Sequence, residues 1–162
     1  FREYFRLNRH RIDGKWDIGI GLWFEYVVKE NHISAHPRPY KYEHAANIGI
    51  DYTFALGNGL NASAEFFYLS QSDKFFESDV NVQMSALSLN YPIGLFDRIS
   101  AMVYYNRKDQ AWYRFVNYQL TFDYWSFYFM AFWNPKQFGL YNMNEQNLFS
   151  GKGIQIMAVF NP

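Results

Sequence analysis

An apolar side chain occupies every second residue of the segment Trp16-Asp17-Ile18-Gly19-Ile20-Gly21-Leu22-Trp23-Phe24-Glu25-Tyr26-Val27-Val28. Residues 47–56 and 153–160 repeat this period of two. Successive side chains of a β-strand point to opposite faces, so the period predicts strands that have one apolar and one polar face. No helical pattern competes with it, and the chain is therefore expected to be all-β.

Turn signals divide the chain into nine predicted strands. Their expected bounds are 2–11, 16–28, 46–56, 60–70, 80–91, 98–106, 111–122, 125–133 and 153–160. The dipeptide Asp13-Gly14 is a strong signal for a two-residue hairpin between the first two strands. Pairing around it places Arg2 opposite Glu25 and His10 opposite Asp17.

Aromatic residues make up 22% of the chain, with 14 Tyr, 17 Phe and 5 Trp. They gather at both ends of the predicted apolar faces, where membrane barrels place Tyr and Trp at the level of the lipid headgroups. The predicted connections alternate between tight turns and longer loops, which is typical of bacterial outer-membrane barrels. The sequence therefore predicts an antiparallel, up-and-down transmembrane β-barrel located in the bacterial outer membrane.

Bacterial single-chain barrels have an even number of strands, with both termini in the periplasm. Nine predicted strands therefore lead us to expect that the chain is the C-terminal part of a larger barrel. The alternative interpretation keeps eight strands from Trp16 onward and makes residues 1–11 a periplasmic arm.

Composition argues against several other classes of protein. No run of about 18 apolar residues predicts a membrane-spanning helix. Lys plus Arg and Asp plus Glu number 15 each, which provides no basic surface for nucleic acid. Cysteine is absent, so neither disulfides nor thiolate metal sites are possible. No cofactor is expected.

The C-terminal segment Gly153-Ile154-Gln155-Ile156-Met157-Ala158-Val159-Phe160 alternates and closes on an aromatic residue. It is similar to the terminal strand by which outer-membrane proteins are recognised by the barrel-assembly machinery, although Asn161-Pro162 follow the aromatic residue here. The whole chain resembles the C-terminal part of a porin-like bacterial outer-membrane protein. This resemblance implies passive passage of small solutes, with membrane lipid, lipopolysaccharide and the assembly machinery as partners and a homo- or hetero-oligomer as a possible state.

The predicted polar faces carry charged residues that are candidates for lining a pore. Rings of charge in a channel bias which solutes pass. The alternative is that these groups pair with one another, Arg2 with Glu25 for example, and fill the interior. The candidate pore-lining residues are Arg2, Arg6, Asp17, Glu25, Asp51 and Glu65.

Other polar residues predict less. His32, His36 and His44 fall in one loop, but two prolines there break any helix that would align them for a metal, so solvated loop residues are favoured. No catalytic constellation is evident, since the only histidine on a predicted strand is His10, and we expect no enzyme. Arg114, on the apolar face near the outer rim, could contact lipid phosphates or turn inward.

Two alternatives to a channel stay open. A soluble, lipocalin-like calyx that binds a small apolar ligand is suggested by Gly14-Lys15-Trp16 and by the turn at residues 121–124, and it would place the apolar face inside. A structural barrel that binds a partner through its loops shares the fold of a channel. The membrane interpretation predicts that eight apolar residues face lipid: Ile18, Ile20, Leu22, Ile48, Ile50, Tyr52, Ile154 and Ile156.

Overall fold

The computed structural model of the chain describes residues 7–32, 40–136 and 149–161. Within these ranges the regular structure consists of nine strands: β1 (Leu7–Asp17), β2 (Gly21–Asn31), β3 (Tyr42–Phe54), β4 (Leu60–Ser72), β5 (Val80–Pro92), β6 (Arg98–Asn106), β7 (Ala111–Thr121), β8 (Trp125–Trp133) and β9 (Lys152–Phe160). In this part of the chain no helix is long and apolar enough to cross a membrane.

The nine strands form one sheet in which each strand lies beside its neighbours in the sequence, from β1 to β9. The pairs β1–β2, β6–β7, β7–β8 and β8–β9 are antiparallel. The prediction of an all-β, antiparallel, up-and-down sheet is confirmed. The bounds of β6 and β8 agree with the prediction, and those of β5, β7 and β9 differ from it by one residue.

The predicted first hairpin is wrong. β1 runs through Asp13-Gly14 without turning, and the chain reverses over Ile18–Gly19–Ile20 instead. The amide of Ile18 donates a hydrogen bond of 3.3 Å to the carbonyl of Ile20. Gly19 has φ of 87°, a left-handed conformation that glycine adopts without steric cost. A glycine in the tight turn therefore outweighs the Asp-Gly signal inside the strand.

The register of β1 against β2 changes with the turn. Asp17 lies opposite Gly21, His10 opposite Val28, and Asp13 opposite Glu25. The predicted pairing of His10 with Asp17 is therefore wrong. Residues 7–11 belong to β1, which also contradicts the alternative that residues 1–11 form an arm outside the sheet.

Gly14 has a packing role in the strand. It lies opposite Phe24, and a Cβ atom added to it would come within 2.6 Å of Phe24 Cε1. The Phe24 ring also stacks on Trp16, with ring centroids 5.7 Å apart. An aromatic ring from the neighbouring strand thus covers the bare backbone of a strand glycine, a device that stabilises sheets.

Contacts between residues divide the chain into two compact units. The first unit contains residues 1–50 and 65–84, and the second contains residues 51–64 and 85–162. The first therefore carries β1, β2 and parts of β3, β4 and β5, and the second carries the remainder of those strands with β6 to β9.

One face of the strands is apolar and exposed in both units, and we call it the apolar face. Cross-strand pairs such as Ile12–Tyr26 and Phe129–Ile156 lie on it. Ile48 is 55% exposed and Ile154 is 80% exposed, whereas the buried hydrophobic residues in the described ranges are only three: Val27, Tyr113 and Phe132. The large side chains therefore do not form an internal core.

Six of the eight residues predicted to face lipid lie on strands: Leu22, Ile48, Ile50, Tyr52, Ile154 and Ile156. Ile18 and Ile20 do not, because both belong to the turn between β1 and β2. Their assignment to the middle of a membrane strand is therefore wrong. Both are exposed in the turn, as expected of side chains beyond the last pair of the ladder.

Candidate functional site

The face opposite to the apolar face carries charged and amide side chains, and we call it the polar face. At the middle of β1 and β2 it carries a cross-strand pair of carboxylates, Asp13 and Glu25. Like charges that lie directly opposite one another destabilise a sheet. Arg11 resolves this conflict, since its Nε atom lies 3.1 Å from Asp13 Oδ1 and 3.2 Å from Glu25 Oε1. The three residues hold one positive charge between two negative ones.

A second ion pair lies further along the polar face. Lys29 Nζ is 2.5 Å from Glu43 Oε1, and Gln71 Nε2 donates to Glu43 Oε2 at 2.8 Å. These contacts join β2, β3 and β4. The Glu43 side chain is 19% exposed, so this carboxylate is compensated by a cation and an amide in partly dehydrated surroundings. In the structure β3 begins at Tyr42, four residues before its predicted start, and Glu43 therefore belongs to the sheet.

Arg9 lies directly opposite Lys29 on the same face. Lys29 and Arg9 line a recess of about 270 Å³ together with Glu25, Asn47, Phe67 and three small or aliphatic residues, Val27, Ala45 and Ala46. Asn47 Nδ2 donates to Glu65 Oε2 at 3.4 Å. Positive, negative and amide groups therefore alternate over a short distance on the first unit.

Aromatic side chains cover part of the same surface. Trp23 lies on the polar face of β2 and covers Gly49 of β3, whose added Cβ would overlap the Trp23 ring. Only glycine leaves room for the ring against the β3 backbone. The polar face of the first unit thus combines charged side chains with the Trp23 ring, which packs against the β3 backbone.

The polar face of the second unit contains a larger cleft with a different lining. It measures about 450 Å³, and none of its lining side chains is charged. The lining residues are Ser88, Asn90, Ser100, Ala101, Met102, Tyr104, Phe115, Asn117, Met130 and Phe149. Hydroxyl, amide, thioether and aromatic groups therefore meet in one place.

The structure treats the six predicted pore-lining residues differently. Glu25 and Glu65 lie on the polar face of the first unit, where Arg11 and Asn47 contact them. Asp17 is exposed at the end of β1, beside the turn. Asp51 is half-buried in β3 and belongs to the second unit. The predicted Arg2 and Arg6 lie outside the described residues.

The sequence does not predict the two cations of the polar face, Arg11 beside Glu25 and Lys29 beside Glu43. The sequence predicts a turn directly after Arg11, whereas in the structure Arg11 lies on β1 two residues before Asp13, the partner of Glu25. Lys29 and Glu43 were assigned to the edge of a loop. The register set by a turn at residues 18–20 would identify the contact of Arg11 with Glu25, whereas the contact of Lys29 with Glu43 also requires β3 to begin at Tyr42.

His44 lies within β3 rather than in the predicted loop, and both it and His32 contact other residues. His44 Nδ1 is 2.8 Å from the Tyr26 hydroxyl, and its ring lies edge-on to Phe75 at 4.9 Å. His32 Nε2 is 3.3 Å from Glu30 Oε2. Among the described residues no three His, Cys, Asp or Glu side chains come close enough to hold a metal ion, and His36 is outside them.

The loop end of β3 also places a cation beside an aromatic ring. Lys41 Nζ lies 5.0 Å from the centroid of the Tyr42 ring and 3.6 Å from Glu30 Oε1. Hydrogen bonding to the Tyr42 hydroxyl, with the negative charge of Glu30 nearby, raises the pKa of Lys41. Lys41 therefore keeps its positive charge at this end of the strands.

Arg114 lies on the apolar face of β7, opposite Val103 of β6. Its guanidinium is 5.8 Å from the centroid of the Trp112 ring, while its backbone amide donates to Asn134 Oδ1 at 2.8 Å. A cation over an indole ring near the end of a strand is suited to an interface between water and an apolar phase.

No protein-family model, no curated protein and no solved structure matches the chain. The chemistry of the apolar and polar faces is therefore the basis for the function proposed below.

Proposed function

We propose that the chain forms the wall of a porin-like β-barrel in the bacterial outer membrane, and that small solutes diffuse through its polar interior. The observation that carries this proposal is the separation of the two faces of one sheet. Exposed Ile, Phe, Tyr and Trp side chains occupy the apolar face of both units. Paired charges occupy the polar face of the first unit, and hydroxyl and amide groups lie among aromatic residues on that of the second.

Water is an unfavourable neighbour for such an apolar face. Monomeric soluble proteins seldom expose contiguous apolar patches larger than a few hundred Å². Here successive apolar positions are exposed within one strand of each unit, Ile48 and Ile50 on β3 and Ile154 and Ile156 on β9. Lipid hydrocarbon accommodates them at no cost, and the aromatic residues at the strand ends suit the headgroup region.

The polar face requires the opposite environment. The Arg11–Glu25 and Lys29–Glu43 pairs would carry a large desolvation cost in hydrocarbon. An aqueous lumen keeps them hydrated on one side. Backbone groups in a bilayer must all be hydrogen-bonded, so in this proposal the outer edges of β1 and β9 each pair with a further strand of a larger, closed wall.

The lipocalin-like calyx requires the apolar face to turn inward around a single cavity. Dependence on detergent separates the two functions. We expect the purified protein to be monodisperse in detergent micelles and to precipitate when the detergent is removed. A protein that stays monodisperse in plain buffer would support the calyx and contradict the membrane location.

Electrical recording tests the channel itself. We expect the full chain, folded in detergent and added to a planar bilayer, to give discrete and stable conductance steps in potassium chloride. Detergent alone and heat-denatured protein are the controls. Insertion into liposomes without conductance would contradict the channel and favour the structural, partner-binding barrel.

A further inference from the structure

We infer that the cleft on the polar face of the second unit binds an uncharged ligand that combines an apolar face with hydroxyl groups. This inference deepens the proposed function, on which it rests for access of the ligand from water. It assigns a ligand chemistry to one group of residues on β5 to β8 and at the end of the β8–β9 connection.

The floor of the cleft is built from two neighbouring cross-strand rows. Ser100, Asn117 and Met130 are consecutive partners in the first row, across β6, β7 and β8. Met102 and Phe115 are partners in the second row, two residues further along each strand. The antiparallel register therefore sets a polar row directly beside an apolar one. A ligand that lies across both rows must itself be amphipathic.

The side chain of Asn117 has a hydrogen-bond acceptor that no donor in the described part of the chain contacts. Its Oδ1 atom is buried and has no hydrogen-bond partner among the described residues. A buried carbonyl oxygen without a partner carries an uncompensated desolvation cost. Ser100 and Asn90 provide hydrogen-bonding groups that a ligand in the cleft reaches directly. An O–H group of the same ligand would satisfy Asn117 Oδ1 once the amide turns toward the cleft.

Aromatic rings form a preorganised wall. The Phe149 ring lies edge-on to Phe115 at 6.0 Å and to Phe132 at 5.5 Å. Asn134 Nδ2 donates to the Phe149 carbonyl at 2.8 Å, which fixes the backbone that carries this ring. Phe132 in turn packs over Gly153 on the neighbouring strand β9, which supports this group of rings. Apolar ligand surfaces gain affinity from rigid rings of this kind because few rotamers are lost on binding.

The lining also excludes charge. A charged ligand would lose hydration in the cleft without gaining an opposite charge, because no lining side chain is ionised. The volume of about 450 Å³ lies within the range of about 300–1,000 Å³ that small-molecule sites occupy. Neutral sugar rings and aromatic alcohols share the required chemistry, and the experiment distinguishes them.

The test measures binding of glucose, benzyl alcohol and glucuronate to the full chain folded in detergent, by saturation-transfer difference NMR. We expect saturable binding of glucose or of benzyl alcohol, and weaker binding of glucuronate. The Asn117→Leu variant should bind the neutral ligand with about three- to tenfold lower affinity, the loss expected for one hydrogen bond. Phe149→Ala should weaken the same ligand by removing the ring it contacts.

The matched control is Asn61→Leu, which removes a half-buried asparagine of β4 in the same unit, bonded to Thr53 outside the cleft. It should leave ligand binding unchanged. Strand content by circular dichroism shows that each variant is folded, and two independent variants guard against the failure of one to fold.

Four results would overturn the inference: no saturable binding of either neutral ligand, glucuronate binding as tightly as glucose, equal losses in Asn61→Leu and Asn117→Leu, or unchanged binding in both cleft variants. Glucose alone would identify the ligand class as a sugar ring, and benzyl alcohol alone as an aromatic alcohol. Conductance without ligand binding would support the channel and contradict the ligand-binding cleft. Ligand binding without conductance would support the cleft and contradict the channel.

Discussion

At the scale of single residues, glycines on one strand leave room for aromatic rings from the neighbouring strand. Gly49 leaves space for the Trp23 ring on the polar face. We predict that Gly49→Ala destabilises the folded protein by about 1–3 kcal/mol, the usual cost of overpacking. Gly94→Ala is the control, since an added Cβ there meets nothing nearer than 3.9 Å. Urea midpoints in lipid vesicles give the difference, and equal midpoints would show that the ring moves aside freely.

The residue scale also includes the electrostatics of the polar face. Arg11 lies between Asp13 and Glu25, and all three side chains are at least a third exposed. We predict that Arg11→Gln lowers stability by less than about 1 kcal/mol, because exposed ion pairs contribute little. If the proposed channel forms, the same change should make it more selective for cations, since two carboxylates lose their counter-charge. Reversal potentials across a salt gradient measure this.

The matched control for Arg11→Gln is Lys108→Gln, which removes the same charge from the exposed β6–β7 connection. It should shift the reversal potential less than Arg11→Gln does. Equal shifts would mean that the channel responds to total charge and that Arg11 has no particular position in the lumen.

At the scale of elements, the turn signals predict β6 and β8 to the residue, and the period of two predicts β9 to within one residue. It failed at the first hairpin for a physical reason. Asp17 pairs with Gly21, so the three-residue turn preserves the phase of the alternation. Ile18 and Ile20 continue the apolar pattern through the turn, and periodicity alone does not reveal that the chain reverses. The Arg11–Glu25 contact depends on this register and was missed with it.

The turn makes its own prediction at this scale. Gly19 has φ of 87°, where residues with a side chain cost about 1–2 kcal/mol. We expect Gly19→Ala to destabilise the β1–β2 hairpin by about that amount, although a Cβ there would meet no neighbouring atom. Hydrogen exchange of β1 amides should accelerate while β8 amides stay protected. Unchanged exchange in β1 would show that the chain turns elsewhere.

At the scale of the whole molecule, the membrane proposal predicts that the cost of a charge depends on its depth. Ile156 lies at the middle of β9, whereas Ile20 lies in the β1–β2 turn, and both are exposed isoleucines. Arginine on the lipid face costs about 2–4 kcal/mol at the bilayer midplane and about 0–1 kcal/mol near the interface. Ile156→Arg should therefore strongly reduce folding into liposomes, while Ile20→Arg should fold almost as well as the unmodified chain. The folded fraction, measured by protection from protease, separates the two variants. Similar yields would mean that β9 does not cross hydrocarbon, and the apolar face would then require another partner.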